Sequence, residues 1–239
     1  MVVYWKKRHR GGCSRPHSRY NSGGGGLTNR PLKLLDIGCG CGAMLKTLSK
    51  YGTAYGTDMS DTALAFCNIE YSNKDQVKKG YLPDGLPFEP ESFDIITILD
   101  VLEHTENDKA SVATTLRLLN PGGFMIATVP AYMSLWSNKD IVVEHKRRYT
   151  RRSLLKLLEN ENCEIVKATY FNSILLPPIF VFRKLNNILR PNHMENDNNL
   201  PNGFINALFL NVMRIERWIL QKHRFPMGVS VMAVARKKT

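Results

Sequence analysis

The chain has 239 residues, 33 Lys and Arg against 21 Asp and Glu, and a formal net charge of +12. This length is enough to bury the core of one domain with additions, and no stretch approaches the roughly 20 continuous apolar residues that span a bilayer. The first ten residues lack the apolar centre of a secretory signal. Cys13, Cys39, Cys41, Cys67 and Cys163 form no C-x-x-C pair, so reduced thiols, a cytoplasmic setting and no metal site are expected.

Charge is unevenly placed. Residues 1–30 carry seven basic side chains and no acid, 31–130 carry eight basic and thirteen acidic, and 131–239 carry eighteen basic and eight acidic. A mildly acidic centre between basic flanks points to an anionic partner, or else to a solvated basic face. Residues 1–30, with glycines 23–26, read as a flexible basic arm, and residues 31–239 as one domain.

The first strong element is Leu34-Leu35-Asp36-Ile37 followed by Gly38, Gly40 and Gly42. An apolar run passing into alternate glycines predicts a buried strand over 32–37, a tight turn, and a helix from about residue 42 whose free N–H groups face a ligand. Gly38, Gly40 and Ala43 also satisfy the dinucleotide pattern G-x-G-x-x-G/A. Asp36 argues against a dinucleotide, because a carboxylate there would repel a pyrophosphate, whereas it would hold a ligand bearing an ammonium group. A second strand, 53–57, ends at Asp58, which either accepts from ribose hydroxyls or caps the helix expected over 60–72.

Further strands are expected near 77–80 and over 93–99, a helix over about 108–119, and a strand over 123–129 after the turn cluster Asn120-Pro121-Gly122-Gly123. This alternation makes a doubly wound, mostly parallel sheet with its ligand at the carboxyl ends of the strands. Past Pro130 come a loop over 131–149, a helix near 151–160 and a strand near 163–170, and the chain closes with a strand over 229–236. Between those last two strands, residues 171–225 read as a helical insertion. It is apolar over 174–189, Asn-rich over 192–202 and amphipathic over 204–220. A lid over the substrate is the first reading; an interfacial helix with Arg214, Arg217, Lys222 and Arg224 beside Trp218 and Phe225 is the second.

Beyond the glycine turn, Leu86 to Ile96, Asp100-Val101-Leu102-Glu103-His104 and Leu118 to Phe124 follow in order. Through these stretches, covering roughly residues 32–130, the chain resembles class I S-adenosylmethionine-dependent methyltransferases, of the broad group that includes ubiquinone and menaquinone biosynthesis enzymes. The resemblance implies a seven-stranded Rossmann-like sheet with residues 163–170 and 229–236 as an antiparallel pair at its edge. It also implies S-adenosylmethionine as cofactor and S-adenosylhomocysteine as product. The implied cofactor residues are Asp36, Gly38, Cys39, Gly40, Gly42, Asp58, Met59, Leu99 and Asp100. Many relatives have an acid after the third strand where this chain has Tyr81, so adenine contact falls to Tyr81 and Leu82.

His104, following the fourth strand, is the leading general base, with packing on the neighbouring helix as the plain alternative. Asp100 could contact the cofactor, orient His104 or cap a helix. The stretch from Leu135 to Asp140, then Glu144-His145-Lys146-Arg147-Arg148-Tyr149, resembles a subgroup with a tryptophan loop and a His-x-Arg-Arg-Tyr stretch. Its members are often associated with glycan or lipid-linked sugar pathways. Pro226 to Ser230 resembles the same subgroup, although relatives commonly carry a histidine where Lys139 stands. His145 is thus a second catalytic candidate, and Trp136, Arg147, Arg148 and Tyr149 are substrate-binding candidates for phosphate or carboxylate.

Together these readings describe an enzyme that methylates a small-molecule or lipid- or glycan-linked acceptor, with oxygen the favoured atom, an anionic acceptor expected, and peripheral membrane contact as an option. A nucleic-acid methyltransferase is the alternative that net charge favours. Against it, the chain has no Asn-Pro-Pro-Tyr-like motif, no Pro-Cys nucleophile and no attached RNA-binding module. A non-catalytic S-adenosylmethionine-binding scaffold is the third reading. The sequence leaves the oligomeric state open.

Overall fold

The structure is a computed structural model that describes residues 30–70, 76–159, 162–189 and 203–239. The basic arm, apart from Arg30, and the Asn-rich stretch 192–202 lie outside them. Seven strands form one sheet: β1 (Leu32–Ile37), β2 (Gly52–Asp58), β3 (Val77–Lys79), β4 (Phe93–Leu99), β5 (Leu119–Pro130), β6 (Cys163–Phe171) and β7 (Ser230–Lys237). The order across the sheet is β3-β2-β1-β4-β5-β7-β6. The first five strands run parallel, and β7 pairs antiparallel with both β5 and β6, as the expected antiparallel edge requires.

The central strands are continuous apolar runs because both of their faces are covered. Leu34 and Leu35 of β1 are fully buried, as are Ile96 and Ile98 of β4. Leu34 packs with Leu45, Leu48, Leu64 and Cys67 on one face, and Leu35 packs with Leu116, Leu118, Leu154 and Leu158 on the other. The chain leaves β1 toward β2 and β3, then crosses back to lay β4 on the other side of β1. That reversal opens a crevice at the carboxyl ends of β1 and β4, where ligands of such sheets bind.

The helices are α1 (Leu45–Leu48), α2 (Asp61–Glu70), α3 (Asp108–Leu118), α4 (Asn138–Val142), α5 (Arg151–Leu158), α6 (Leu176–Leu189) and α7 (Gly203–Lys222). The helix expected from residue 42 is only the single turn α1. Gly42 is held at φ +87° with its N–H donating to Cys39 O, so the turn consumes the residues that were to open the helix. β5 likewise starts at Leu119 rather than 123. The Asn120–Gly123 cluster lies within the strand as an irregularity, with Gly122 at φ +75° and a register shift opposite Phe93 and Ile95.

The insertion forms helices α6 and α7. Buried Glu216 of α7 accepts from Ser173 N (2.8 Å) and Ile174 N (3.2 Å), Lys167 Nζ of β6 donates to Leu220 O, and Arg183 Nη1 of α6 donates to Leu135 O. Large apolar side chains stay exposed along both helices, among them Phe180, Phe182, Leu208, Met213, Ile215 and Trp218. Among the described residues no helix is long and apolar enough to cross a membrane.

Candidate active site

The glycine turn caps the carboxyl end of β1. Gly38 N and Cys39 N both donate to Thr57 O, at 2.8 and 3.0 Å, which draws the turn onto the end of β2. Gly38 has φ +74°, and a Cβ there would come 2.4 Å from Val101 Cγ2. Gly40 has φ +52°, yet a Cβ on it would meet nothing within 4 Å. The turn thus packs tightly on its inner side and stands open at Gly40, a concave backbone surface suited to a ligand's close approach.

Asp36 is almost fully buried beneath this turn, and Thr97 Oγ1 donates to its Oδ1 at 2.5 Å. Burial pushes its carboxyl up to about 6; the Thr97 bond opposes the rise and the charge of Asp58 adds to it. Asp58 ties two elements together: Oδ2 accepts from Gly40 N and Oδ1 from Ser60 N, each at 2.9 Å. The helix cap itself is Ser60, whose Oγ accepts from Ala63 N at 3.3 Å; Asp58 sets the turn before it, and each of its oxygens keeps a further lone pair for a ligand.

Met59 and Tyr81 are exposed and Leu99 is half-buried at the same end of the sheet. Tyr81 and Gly85 exchange backbone hydrogen bonds, and the Tyr81 ring lies against Gly85, where a Cβ would come 2.6 Å from Cε1. Leu82 packs on the edge of the core. Cys39 is buried against Gly56, and burial raises its thiol. Cys39, Cys41, Cys67 and Cys163 are free thiols.

The second half of the site is made by two loops, one after β4 and one after β5. Asp100 has φ +54° and donates its N–H to Thr128 O, which turns the chain sharply into the 3-10 turn Leu102–His104. The later loop folds back onto this turn: Lys146 N donates to Glu103 O at 2.7 Å. The rings of His104 and His145 meet edge to face with centroids 4.7 Å apart. Partial desolvation, then the neighbouring His145, lowers His104.

His145 is held by a buried carboxylate. Its Nδ1 lies 2.8 Å from Asp140 Oδ1. Asp140 also accepts from Arg148 Nε (2.7 Å) and Nη2 (3.0 Å) and from Ser137 N and Oγ. Burial works to raise Asp140, but the bonds from Arg148 and His145 outweigh it and hold the carboxyl below its ordinary range. On the other side of His145, Glu103 is fully buried, with Oε1 3.8 Å from His145 Nε2. Burial pushes its carboxyl up to about 8.

The structure therefore brings His104 and His145 together and corrects the reading of their neighbours. Arg148 was expected to bind an acceptor's phosphate or carboxylate; instead its guanidinium is buried, paired in a fork with Asp140 and donating to Ala131 O at 3.0 Å. Tyr149, also expected at the substrate, is buried with its hydroxyl 3.0 Å from Asp108 Oδ2. Burial and the Asp108 charge push its phenol up. Arg147 donates to Glu106 O and pairs with Asp108 at 3.1 Å. Arg147 and Tyr149 fasten the β5 loop to the segment after β4, and Arg148 braces the β5 loop internally. Trp136 lies half-buried on the same loop. Sequence reading passed over Glu103 and Asp140, though the capping pair Ser137 and Asp140 gave a local signal for the latter.

The family described as a methyltransferase domain matches residues 35–127, and over that span the resemblance to class I S-adenosylmethionine-dependent methyltransferases holds. The ubiquinone biosynthesis O-methyltransferase of Pseudomonas entomophila is 33% identical over 95 residues, covering 38% of this chain and 41% of the relative. The chain thus spans about two fifths of that relative's length. Among solved structures, an S-adenosylmethionine-dependent methyltransferase from Mesorhizobium loti covers 87% of this chain and 92% of its own, with TM-score 0.55 and 16% identity. The Haemonchus contortus phosphoethanolamine N-methyltransferase 2, solved in complex with S-adenosyl-L-methionine, covers 88% of this chain and 49% of its own, with TM-score 0.56 and 16% identity. The Rossmann-like methyltransferase fold is shared across the whole sheet.

Proposed function

We propose that this chain is an S-adenosylmethionine-dependent methyltransferase acting on an oxygen of a small-molecule acceptor. The carrying observation is the contact of Val101 on Gly38, which joins the open glycine turn to the segment leading into His104 and His145. Asp36 would meet the cofactor's ammonium, the backbone from Gly38 through Cys39 and Gly40 to Gly42 its amino-acid end, and Asp58 its ribose. Met59, Tyr81, Leu82, Leu99 and Asp100 would border the adenosine. When bound, S-adenosylmethionine would supply a methyl on a sulfonium: the acceptor oxygen would form the C–O bond as the C–S electron pair returns to sulfur as the neutral thioether, and the acceptor's hydroxyl proton would pass to His104 or to water.

The chain's own contribution is alignment first. His104 and His145 are the catalytic residues in this reading, facing the acceptor and assisting departure of its proton. Relatives named as O-methyltransferases of ubiquinone biosynthesis support oxygen as the atom methylated. The apolar side chains exposed on α6 and α7, with Arg183 tying α6 to the β5 loop, support an acceptor carrying an apolar tail and an insertion that acts as its lid. Arg214, Arg217 and Lys222 beside Trp218 on α7 or at its end, with Arg224 just beyond, support contact with a membrane surface. With Arg147 and Arg148 engaged internally, an anionic acceptor loses its main support.

The test is production of S-adenosylhomocysteine from S-adenosylmethionine with phenols bearing and lacking an apolar tail. Turnover with the tailed phenol, reduced by His104→Ala while cofactor affinity is kept, is the expected result. Cofactor binding without turnover on any hydroxyl acceptor would move the reading to a scaffold.

A further inference from the structure

Glu103 is completely buried, and neither of its carboxylate oxygens has a hydrogen-bond partner. A buried carboxyl without a partner is costly in either protonation state, and such groups in proteins are normally matched by a donor, a cation or water. One ionisable group facing it is His145 Nε2. The other nitrogen of that ring, Nδ1, faces Asp140, a carboxylate that the Arg148 fork keeps ionised and that can only accept. Nδ1 must therefore carry the hydrogen, which leaves the Nε2 lone pair aimed at Glu103. The carboxyl and the ring nitrogen face each other across 3.8 Å. The gap exceeds the roughly 3.2 Å limit of a hydrogen bond, so a shared proton does not fill it. Two metal–ligand bonds of about 2.1 Å each would span it.

The third side of the gap is His104. One ligand atom from each of Glu103, His104 and His145 lies within 4.8 Å of the others. His104 is the exposed member, so it is the side chain with room to adjust its rotamer. Behind the cluster, the chain Arg148–Asp140–His145 fixes ring orientation and tautomer, the outer support that metal-bound histidines have.

We propose that Glu103, His104 and His145 bind one divalent transition-metal cation of the zinc class. One carboxylate oxygen and two imidazoles form the donor set that selects such ions over magnesium or calcium. Three protein ligands leave a coordination position open for the acceptor. An acceptor hydroxyl bound there would be acidified by the cation and release its proton to water before its oxygen attacks the methyl; with the cation bound, His104 and His145 assist that departure as its ligands and not as proton acceptors. That role rests on the methyl-transfer reading above; the site itself does not. No sequence motif announced it, because its ligands come from two loops that meet only once β4 and β5 are paired.

The test is calorimetric titration of chelator-treated, full-length protein with zinc chloride, together with the visible absorption of the cobalt-loaded protein. The expected result is one saturable zinc per chain and a cobalt spectrum, with affinity falling about a hundredfold or more in both Glu103→Gln and His104→Ala. Circular dichroism checks folding, and the exposed His104→Ala variant carries the test if Glu103→Gln does not fold. Absence of zinc binding, or binding unchanged by His104→Ala, overturns the proposal. S-adenosylhomocysteine is titrated in parallel. Zinc binding without it keeps the cation site and removes the methyl-transfer reading; the converse removes the cation alone.

Discussion

Val101 sits so close over Gly38 that a Cβ on the glycine would lie 2.4 Å from the valine Cγ2. Gly38 also holds φ +74°, a region costing an L-residue about 1–2 kcal/mol. Gly38→Ala meets both penalties, so it should abolish S-adenosylhomocysteine binding and lower Tm. Gly40→Ala, at φ +52° with open space around it, meets only the backbone penalty and keeps a stable fold. Calorimetry and thermal melts of the two variants decide it; equal effects would mean that the Val101 contact is not what shapes the turn.

Asp36 makes cofactor binding depend on pH. Its carboxyl, pushed up to about 6 by burial, must be ionised to hold an ammonium. Affinity should be level above about pH 7 and fall by up to tenfold per unit below pH 6. Asp36→Asn should bind weakly and lose this dependence. The sign for stability is opposite. The raised carboxyl takes up its proton more readily folded than unfolded, so the ionised group destabilises the free protein above pH 6, and that penalty disappears by about pH 4. Calorimetry from pH 5 to 8 checks the first claim, and ligand-free melts of wild type and Asp36→Asn check the second.

Arg148 separates a structural arginine from an acceptor-binding one. Its removal strands Asp140 as a buried charge, a loss of about 3–5 kcal/mol. Arg148→Lys cannot restore the fork and should recover little of it. A large fall in Tm for Arg148→Ala, with denaturant midpoints in agreement, is expected. A variant of unchanged stability and raised acceptor KM would return the residue to the substrate.

The contrast between Asp36 and Arg148 shows what a sequence exposes. Leu34 through Gly42 are neighbours in the chain and neighbours in space, so strand and turn could be read together, and the buried apolar runs of β4 and β5 followed the same logic. Arg148 looked like an anion binder because its identity is visible and its burial is not. Its partner Asp140 lies one folded loop away, and their pairing depends on the Ser137 cap and the fold-back onto Glu103. Glu103 itself reads as an ordinary surface acid until the β5 loop covers it. The one-turn length of α1 escaped notice for a local reason: Gly42 continues the turn where its neighbours read as helix.

The insertion has its own test in Arg183 and Glu216. Arg183 Nη1 donates to Leu135 O at 2.6 Å, tying α6 to the β5 loop, whereas Glu216 anchors α7 to the start of α6 through Ser173 N and Ile174 N. Neither contact touches the glycine turn. If the insertion is a lid, Arg183→Ala should raise acceptor KM several-fold while S-adenosylhomocysteine affinity stays unchanged. Glu216→Ala leaves two N–H groups without their acceptor, at a cost of about 1–3 kcal/mol, and frees α7 as a unit. It should speed limited proteolysis within residues 171–225 before the sheet unfolds. Steady-state kinetics on the first variant and mapped cleavage sites on the second distinguish a lid from a helix pair that merely completes the core. In the latter case both substitutions would lower Tm and leave acceptor KM where it was.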